Sequence, residues 1–167
     1  MSRPALEPDD VAPLLEVQAR SFARAGPRIR QSYPPSRAMD ARRMADFLGS
    51  HRHAVLATAR PDGRPQAAPV SYLVWRGAFW IALVAGARER NLRANPYASL
   101  VLVEGEGRRH RALIANGPVV LHDPRHIHEI GEGLAAAWAK RFRQPPTWAA
   151  VLVELRPARL YSYGQAS

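Results

Sequence analysis

Residues 53–96, HAVLATARPDGRPQAAPVSYLVWRGAFWIALVAGARERNLRANP, decide the fold. His53 to Ala59 reads as a strand, Arg60-Pro61-Asp62-Gly63 is turn chemistry, and Pro65 to Trp75 returns as the hairpin partner. Arg76-Gly77 makes a second turn, and Phe79 to Val84 is a third strand. Three antiparallel strands thus lead into Gly86–Pro96, a short helix with Leu92 turned inward and Pro96 as its stop. Arg88 and Arg90 stand on its first turn. A helix N-terminus leaves backbone N–H groups unpaired and carries partial positive charge, so this is a place to hold a phosphate.

Downstream, Ala98 to Val103 is a strand, Gly105-Glu106-Gly107 a turn, and Arg111 to Leu121 a long strand in which Gly117-Pro118 marks a bulge. Asp123-Pro124 is an N-cap followed by a proline at the first helical position, which predicts one helix running to about Phe142. Strands return at Ala149–Leu155 and Leu160–Tyr163, on either side of Arg156-Pro157. Upstream, Asp40 caps a short helix whose buried face is Met44, Phe47 and Leu48 and which Gly49 closes. Strands at hairpin spacing with helices inserted between them predict a mainly β fold, a small antiparallel barrel over residues 40–167. Residues 1–39 are proline-interrupted and read as an N-terminal arm with one helix, its apolar stripe formed by Val11, Leu14, Leu15 and Phe22. The arm is expected to pack on the domain or on a partner subunit.

The 167 residues are enough for one ordinary domain with its own core. There is no cysteine, which excludes disulfides, iron–sulfur clusters and thiol nucleophiles. The formal charge is +10, and the basic side chains are arginines with the single exception of Lys140. Such a balance favours anionic ligands without choosing among them. The first residues lack a signal-peptide core and eighteen apolar residues nowhere run together, so a cytoplasmic protein without a membrane span is expected. His122, His126 and His128 fall within seven residues, but Pro124 at the helix start leaves His122 outside the helix, the i, i+4 geometry of a metal pair is lost, and no metal is expected. Trp75 and Trp148 read as core residues. The arm arginines have only Phe22 and Tyr33 among them, and nucleic-acid binding is not expected. Gly-x-Ser-x-Gly is absent, and no nucleophile stands out.

Four pieces in order carry a family resemblance: Ala57-Thr58 with Pro61-Asp62-Gly63-Arg64-Pro65-Gln66, then Pro69-Val70-Ser71-Tyr72, then Arg88 to Pro96, then Ala98-Ser99-Leu100. The chain resembles the pyridoxamine 5′-phosphate oxidase-like FMN-binding split-barrel superfamily, and is most similar in look to its smaller flavin and deazaflavin reductases. The resemblance implies a six-stranded antiparallel Greek-key split barrel with a few peripheral helices. It also implies a homodimer whose cofactor groove lies at the subunit interface. Pro69, Val70 and Ser71 take the place of the strand beside the flavin ring, and Arg88 that of the basic phosphate ligand. Arg90 and Asn91 match the Arg-Asn-Leu continuation. The activity implied is hydride transfer between FMN and a small organic substrate, with a deazaflavin (F-420)-dependent reductase or a non-catalytic flavin- or haem-binding protein as alternatives. Gly86-Ala87 replace the Ser-Arg pair of the vitamin B6 oxidases and Ala68 replaces a basic residue, so vitamin B6 oxidation is not expected.

Overall fold

The computed structural model describes residues 6–164 and contains eight strands, rather than six, with six helices packed around them. The strands are β1 (His53–Ala59), β2 (Pro65–Ser71), β3 (Leu73–Trp75), β4 (Ala78–Leu83), β5 (Tyr97–Glu104), β6 (Arg111–His122), β7 (Val151–Leu155) and β8 (Arg159–Tyr163). They hydrogen-bond antiparallel in the order β2-β1-β5-β6-β7-β4-β3, with β8 added to β6, and curl into a split barrel. The chain pattern reads as seven strands, and the eighth comes from the segment Pro65–Trp75, which is not continuous. At Tyr72 the chain leaves β2 and enters β3 at the opposite end of the strand order. The Tyr72 ring is buried, and its hydroxyl donates to Leu48 O at 2.7 Å. A buried phenol needs such a partner, and this one fixes the crossing point.

β6 serves both halves of the barrel. Its first part pairs with β5 and β8, and Val119–His122 pairs with β7. The changeover falls at Gly117-Pro118. There the β7–β8 connection crosses so closely that a Cβ on Gly117 would sit 2.0 Å from Arg156 O. Arg156 N–H donates to Pro118 O and Ala158 N–H to Asn116 O, which ties the crossing down. The expected bulge is therefore a close backbone approach, which only glycine permits.

Alternation along β1 puts Ala54, Leu56 and Thr58 inside and leaves Val55 facing out. The barrel interior is filled by Leu56, Phe79, Ile81, Leu100, Leu113 and their neighbours. α1 (Pro8–Ala23) adds Val11 and Leu14 to this core, and α3 (Ala41–Ser50) adds Met44, Phe47 and Leu48. Asp40 caps α3 by accepting from Arg43 N–H at 2.9 Å, while Gly49 lies inside the helix and leaves room for Leu6. α1 is joined to the barrel by polar contacts as well. Ser162 Oγ donates to Gln18 Oε1, Gln18 Nε2 to Met39 O, and Leu160 N–H to Ser21 Oγ. The short α2 (Pro27–Ser32) follows α1.

A second apolar layer lies behind β3, β4 and β7. Leu73, Trp80 and Leu152 meet Ile127 of α5 (Ile127–Ile130) and Leu134 and Trp138 of α6 (Leu134–Phe142). The single helix expected over 123–142 is broken between Ile130 and Leu134, because Gly131 packs against the Trp75 ring and Gly133 turns the chain with a φ of +87°. A Cβ on Gly131 would lie 2.7 Å from that ring. No described helix is long and apolar enough to cross a membrane.

Replacing Gly117 by alanine is expected to destabilise the fold by about 1–3 kcal/mol, the usual range for forced overpacking. Urea unfolding followed by tryptophan fluorescence checks this, and an unchanged midpoint would contradict the close crossing.

Candidate functional site

β2 and β3–β4 stand at opposite ends of the strand order, and the split between them is a cleft. Pro69, Val70 and Ser71 of β2 form one lip, and Ala82 and Val84 at the end of β4 form the other. The lining continues with Trp138, Phe142, Gln144 and Trp148, and the cavity volume is about 370 Å³. That is within the size range of small-molecule and cofactor sites. Because β2 is an edge strand, half of its backbone groups face away from β1. Pro69 removes a ladder donor there, which an edge beside a ligand tolerates.

Arg88, on the first turn of α4 (Ala87–Ala94), reaches this lip: its Nη1 donates to Pro69 O at 3.4 Å. This long hydrogen bond is weak, and the guanidinium keeps other donors for an anion. The first helical bond of α4 runs from Arg90 N–H to Gly86 O, so the preceding N–H groups have no partner within the helix. Pro69, Val70, Ser71 and Arg88 are thus brought together, although 19 residues separate Arg88 from Pro69. Arg90 is exposed and is not among the cleft residues.

Asn91 has a different place. It is buried, and its Nδ2 donates to Thr58 Oγ1 at 3.0 Å and to Gln66 Oε1 at 2.9 Å. One amide therefore braces α4 against both strands of the β1–β2 hairpin, holding Arg88 over the lip. The helix-surface spacing explains the division of labour. Arg88 and Arg90 are two apart and diverge, and Asn91 faces the barrel beside the buried Leu92.

The sequence reading placed Trp148 in the core, and the structure corrects it: Trp148 is 57% exposed and lines the cleft. Periodicity around it carried no warning, since it lies outside any helix or strand. Trp75 packs in the second layer, edge-on to Trp80 at 5.9 Å. Nothing among the cleft residues is a carboxylate, so the local charge is that of Arg88. Trp138 lines the cleft too, and its buried Nε1 finds no acceptor among the described residues. A cation at one lip, an edge backbone and aromatic walls fit a flat, anionic, hydrogen-bonding group such as a flavin nucleotide. No cluster of three or more metal-ligating side chains occurs among the described residues.

Behind the cleft, the buried Glu154 of β7 accepts from His122 Nε2 at 2.9 Å and from Arg156 Nε at 2.7 Å. Burial pushes the Glu154 carboxyl up, but the bonds from Arg156 and His122 outweigh it and hold it below the ordinary carboxylate range.

The family model for pyridoxamine 5′-phosphate oxidase matches residues 41–163. The chain belongs to the pyridoxamine 5′-phosphate oxidase family. Solved structures agree with that fold. One is a conserved protein of Mycobacterium tuberculosis, Rv2991, with 24% identity, a TM-score of 0.64, and coverage of 79% of this chain and 89% of that one. A second is the heme storage protein HutZ of Vibrio cholerae, at 18% identity and a TM-score of 0.62, covering 72% and 94% of the two chains. A third is an FAD-binding protein of Mesorhizobium loti, at 20% identity and a TM-score of 0.59, covering 78% and 97%. At these identities the likeness shows the fold. No curated protein matches the chain. The structural neighbours thus include an FAD-binding protein and a heme storage protein.

Two outcomes follow from the geometry. Asn91→Ala removes the brace and leaves two strand side chains short of a donor, so stability should fall by about 1–3 kcal/mol in urea unfolding. Glu154, with a folded pKa below its unfolded value of about 4.3, stabilises the fold fully above that value. As pH falls through the folded pKa the contribution is lost. Glu154→Gln should therefore be less stable than the parent at pH 7, with the gap closing in denaturant midpoints measured below pH 4.

Proposed function

We propose that this protein binds FMN in the cleft at the split of the barrel and transfers hydride equivalents between it and a small organic substrate. The observation that carries the reading is Arg88 held against the Pro69–Ser71 lip at the start of α4. A phosphate there meets a guanidinium and helix N–H groups together. The lip offers edge backbone to the ring, and the cleft adds aromatic side chains that exclude water. When bound, the flavin supplies the hydride chemistry, and the protein orients it and shields it. This accords with a cleft that contains no acid–base pair or nucleophile with an activating base.

The reading includes a homodimer with the groove at its interface. Its support is the outer face of β1, β2 and β5, where Val55 is 43% exposed, Val103 58% and Tyr97 45%, a stripe that also carries Pro69. Exposed apolar surface of that kind on a sheet face marks an interaction site. The deazaflavin F-420 is the second reading, favoured by the absence of carboxylates from the cleft and by the net charge of +10. Haem is less well served, since no histidine lines the cleft. Gly86-Ala87 stand where a vitamin B6 oxidase has a Ser-Arg pair, and we assign no vitamin B6 oxidation.

Purified protein should release FMN on denaturation, or bind it on titration followed by flavin fluorescence. Loss of a charged hydrogen bond makes Arg88→Ala weaken that binding by roughly ten- to a hundredfold. Unchanged affinity would remove Arg88 from the site, and F-420 binding without FMN binding would select the second reading.

A further inference from the structure

A second cavity, of about 120 Å³, lies where the start of α1, the end of α3, β3 and α6 meet at the Tyr72 crossing. It shares no lining residue with the cleft: α6 gives Ala137, Lys140 and Arg141 to this cavity, and Trp138 and Phe142 to the cleft. Its apolar part is built from Leu48, Tyr72, Val74 and Trp75, the first three of them buried. The short side chain of Ala137 leaves the space open on the α6 side. A cavity of about 150 Å³ accepts a benzene ring, so this one has room for an apolar body of about five or six carbons. The polar groups of the lining are Asp10, Lys140 and Arg141, and they are not equivalent. Asp10 accepts from Glu7 N–H at 2.9 Å in the first turn of α1, where the helix N-terminus already meets its charge. The Arg141 guanidinium donates to the backbone oxygens of Gly49, His51 and Tyr72. Lys140, the single lysine of the chain, is exposed and makes no hydrogen bond or ion pair with another described residue. Its ammonium group keeps three donors for a ligand.

We propose that this cavity is a second small-molecule site, which takes a short aliphatic monocarboxylate with its chain among Leu48, Tyr72, Val74 and Trp75 and its carboxylate on Lys140. The lining selects each half of that ligand. The apolar walls favour every methylene taken out of water, and the Tyr72 hydroxyl is already committed to Leu48 O, so a polar body would lose its hydrogen bonds there. A carboxylate at the Lys140 end forms a charge-assisted hydrogen bond. A cationic head would instead face both Lys140 and Arg141, with Asp10 alone in its favour. The site is independent of the cofactor reading, because neither Arg88 nor the β2 lip takes part in it.

The test is a calorimetric titration of the whole chain with three probes of one chain length: hexanoate, the neutral hexanamide and hexylammonium. Hexanoate should bind saturably with a Kd of about 1 mM or tighter. Hexanamide, which lacks the charge, should bind about tenfold more weakly or worse. Lys140→Gln changes an exposed side chain and should lower hexanoate affinity by about tenfold, to the level of hexanamide, whereas Lys140→Arg should keep most of it. Ala137→Leu should fill the cavity and abolish hexanoate binding, with circular dichroism showing that the variant is folded; if it is not, the Lys140 variants decide. Absence of saturable hexanoate binding to the parent overturns the proposal. Equal binding of hexanoate and hexanamide overturns it too, as does a preference for hexylammonium, which would make Asp10 the governing charge. Unchanged hexanoate affinity in Lys140→Gln or in folded Ala137→Leu would put the ligand elsewhere on the protein and overturn the assignment to this cavity.

Discussion

The crossing at Tyr72 is the constraint on which the site depends. A continuous strand from Pro65 to Trp75 would carry one hairpin partner along a single sheet. Instead the buried Tyr72 ring, with its hydroxyl on Leu48 O, pins the chain where it leaves β2 for β3. Consecutive residues then end up at opposite ends of the strand order, and the barrel stays open between them. β6 makes the counterpart connection on the far side, where Gly117 lets the β7–β8 crossing approach the sheet backbone. One side of the barrel is stitched by a shared strand, and the other is left as a cleft.

Around that opening the polar groups are divided by purpose. Asn91 spends its amide on Thr58 and Gln66, which locks α4 to the β1–β2 hairpin. Arg88 makes one long bond to Pro69 O and keeps its remaining donors. Glu154, by contrast, is saturated by His122 and Arg156 in the layer behind the cleft. A carboxylate so engaged organises the sheet, and it adds no negative charge to the lining of the cleft.

Much of the fold was legible along the chain because its signals are local. β1 and the end of β8 fall where the apolar pattern put them, and Asp40 caps α3 as its position required. The departures share a cause. The break at Tyr72, the interruption of the 123–142 helix at Gly131 and the tight passage at Gly117 each answer to a neighbour far away in sequence: Leu48, Trp75 and Arg156. Trp148 was missed for the same reason, since its exposure depends on how the loop after α6 is tied to Pro146 and Leu83.

What the sequence determined by itself was the set of strands, turns and capped helices, together with the arginine-bearing helix start and the family pattern around it. Period and turn chemistry settle those within a few residues of chain. What only the tertiary structure decided was the company each side chain keeps. It set Arg88 against Pro69, turned Asn91 into a brace, and placed an exposed indole in the lining of the cleft. Periodicity fixes which way a side chain faces, but the pairings of β1 with β5 and of β4 with β7 join distant segments, and these determine what it faces.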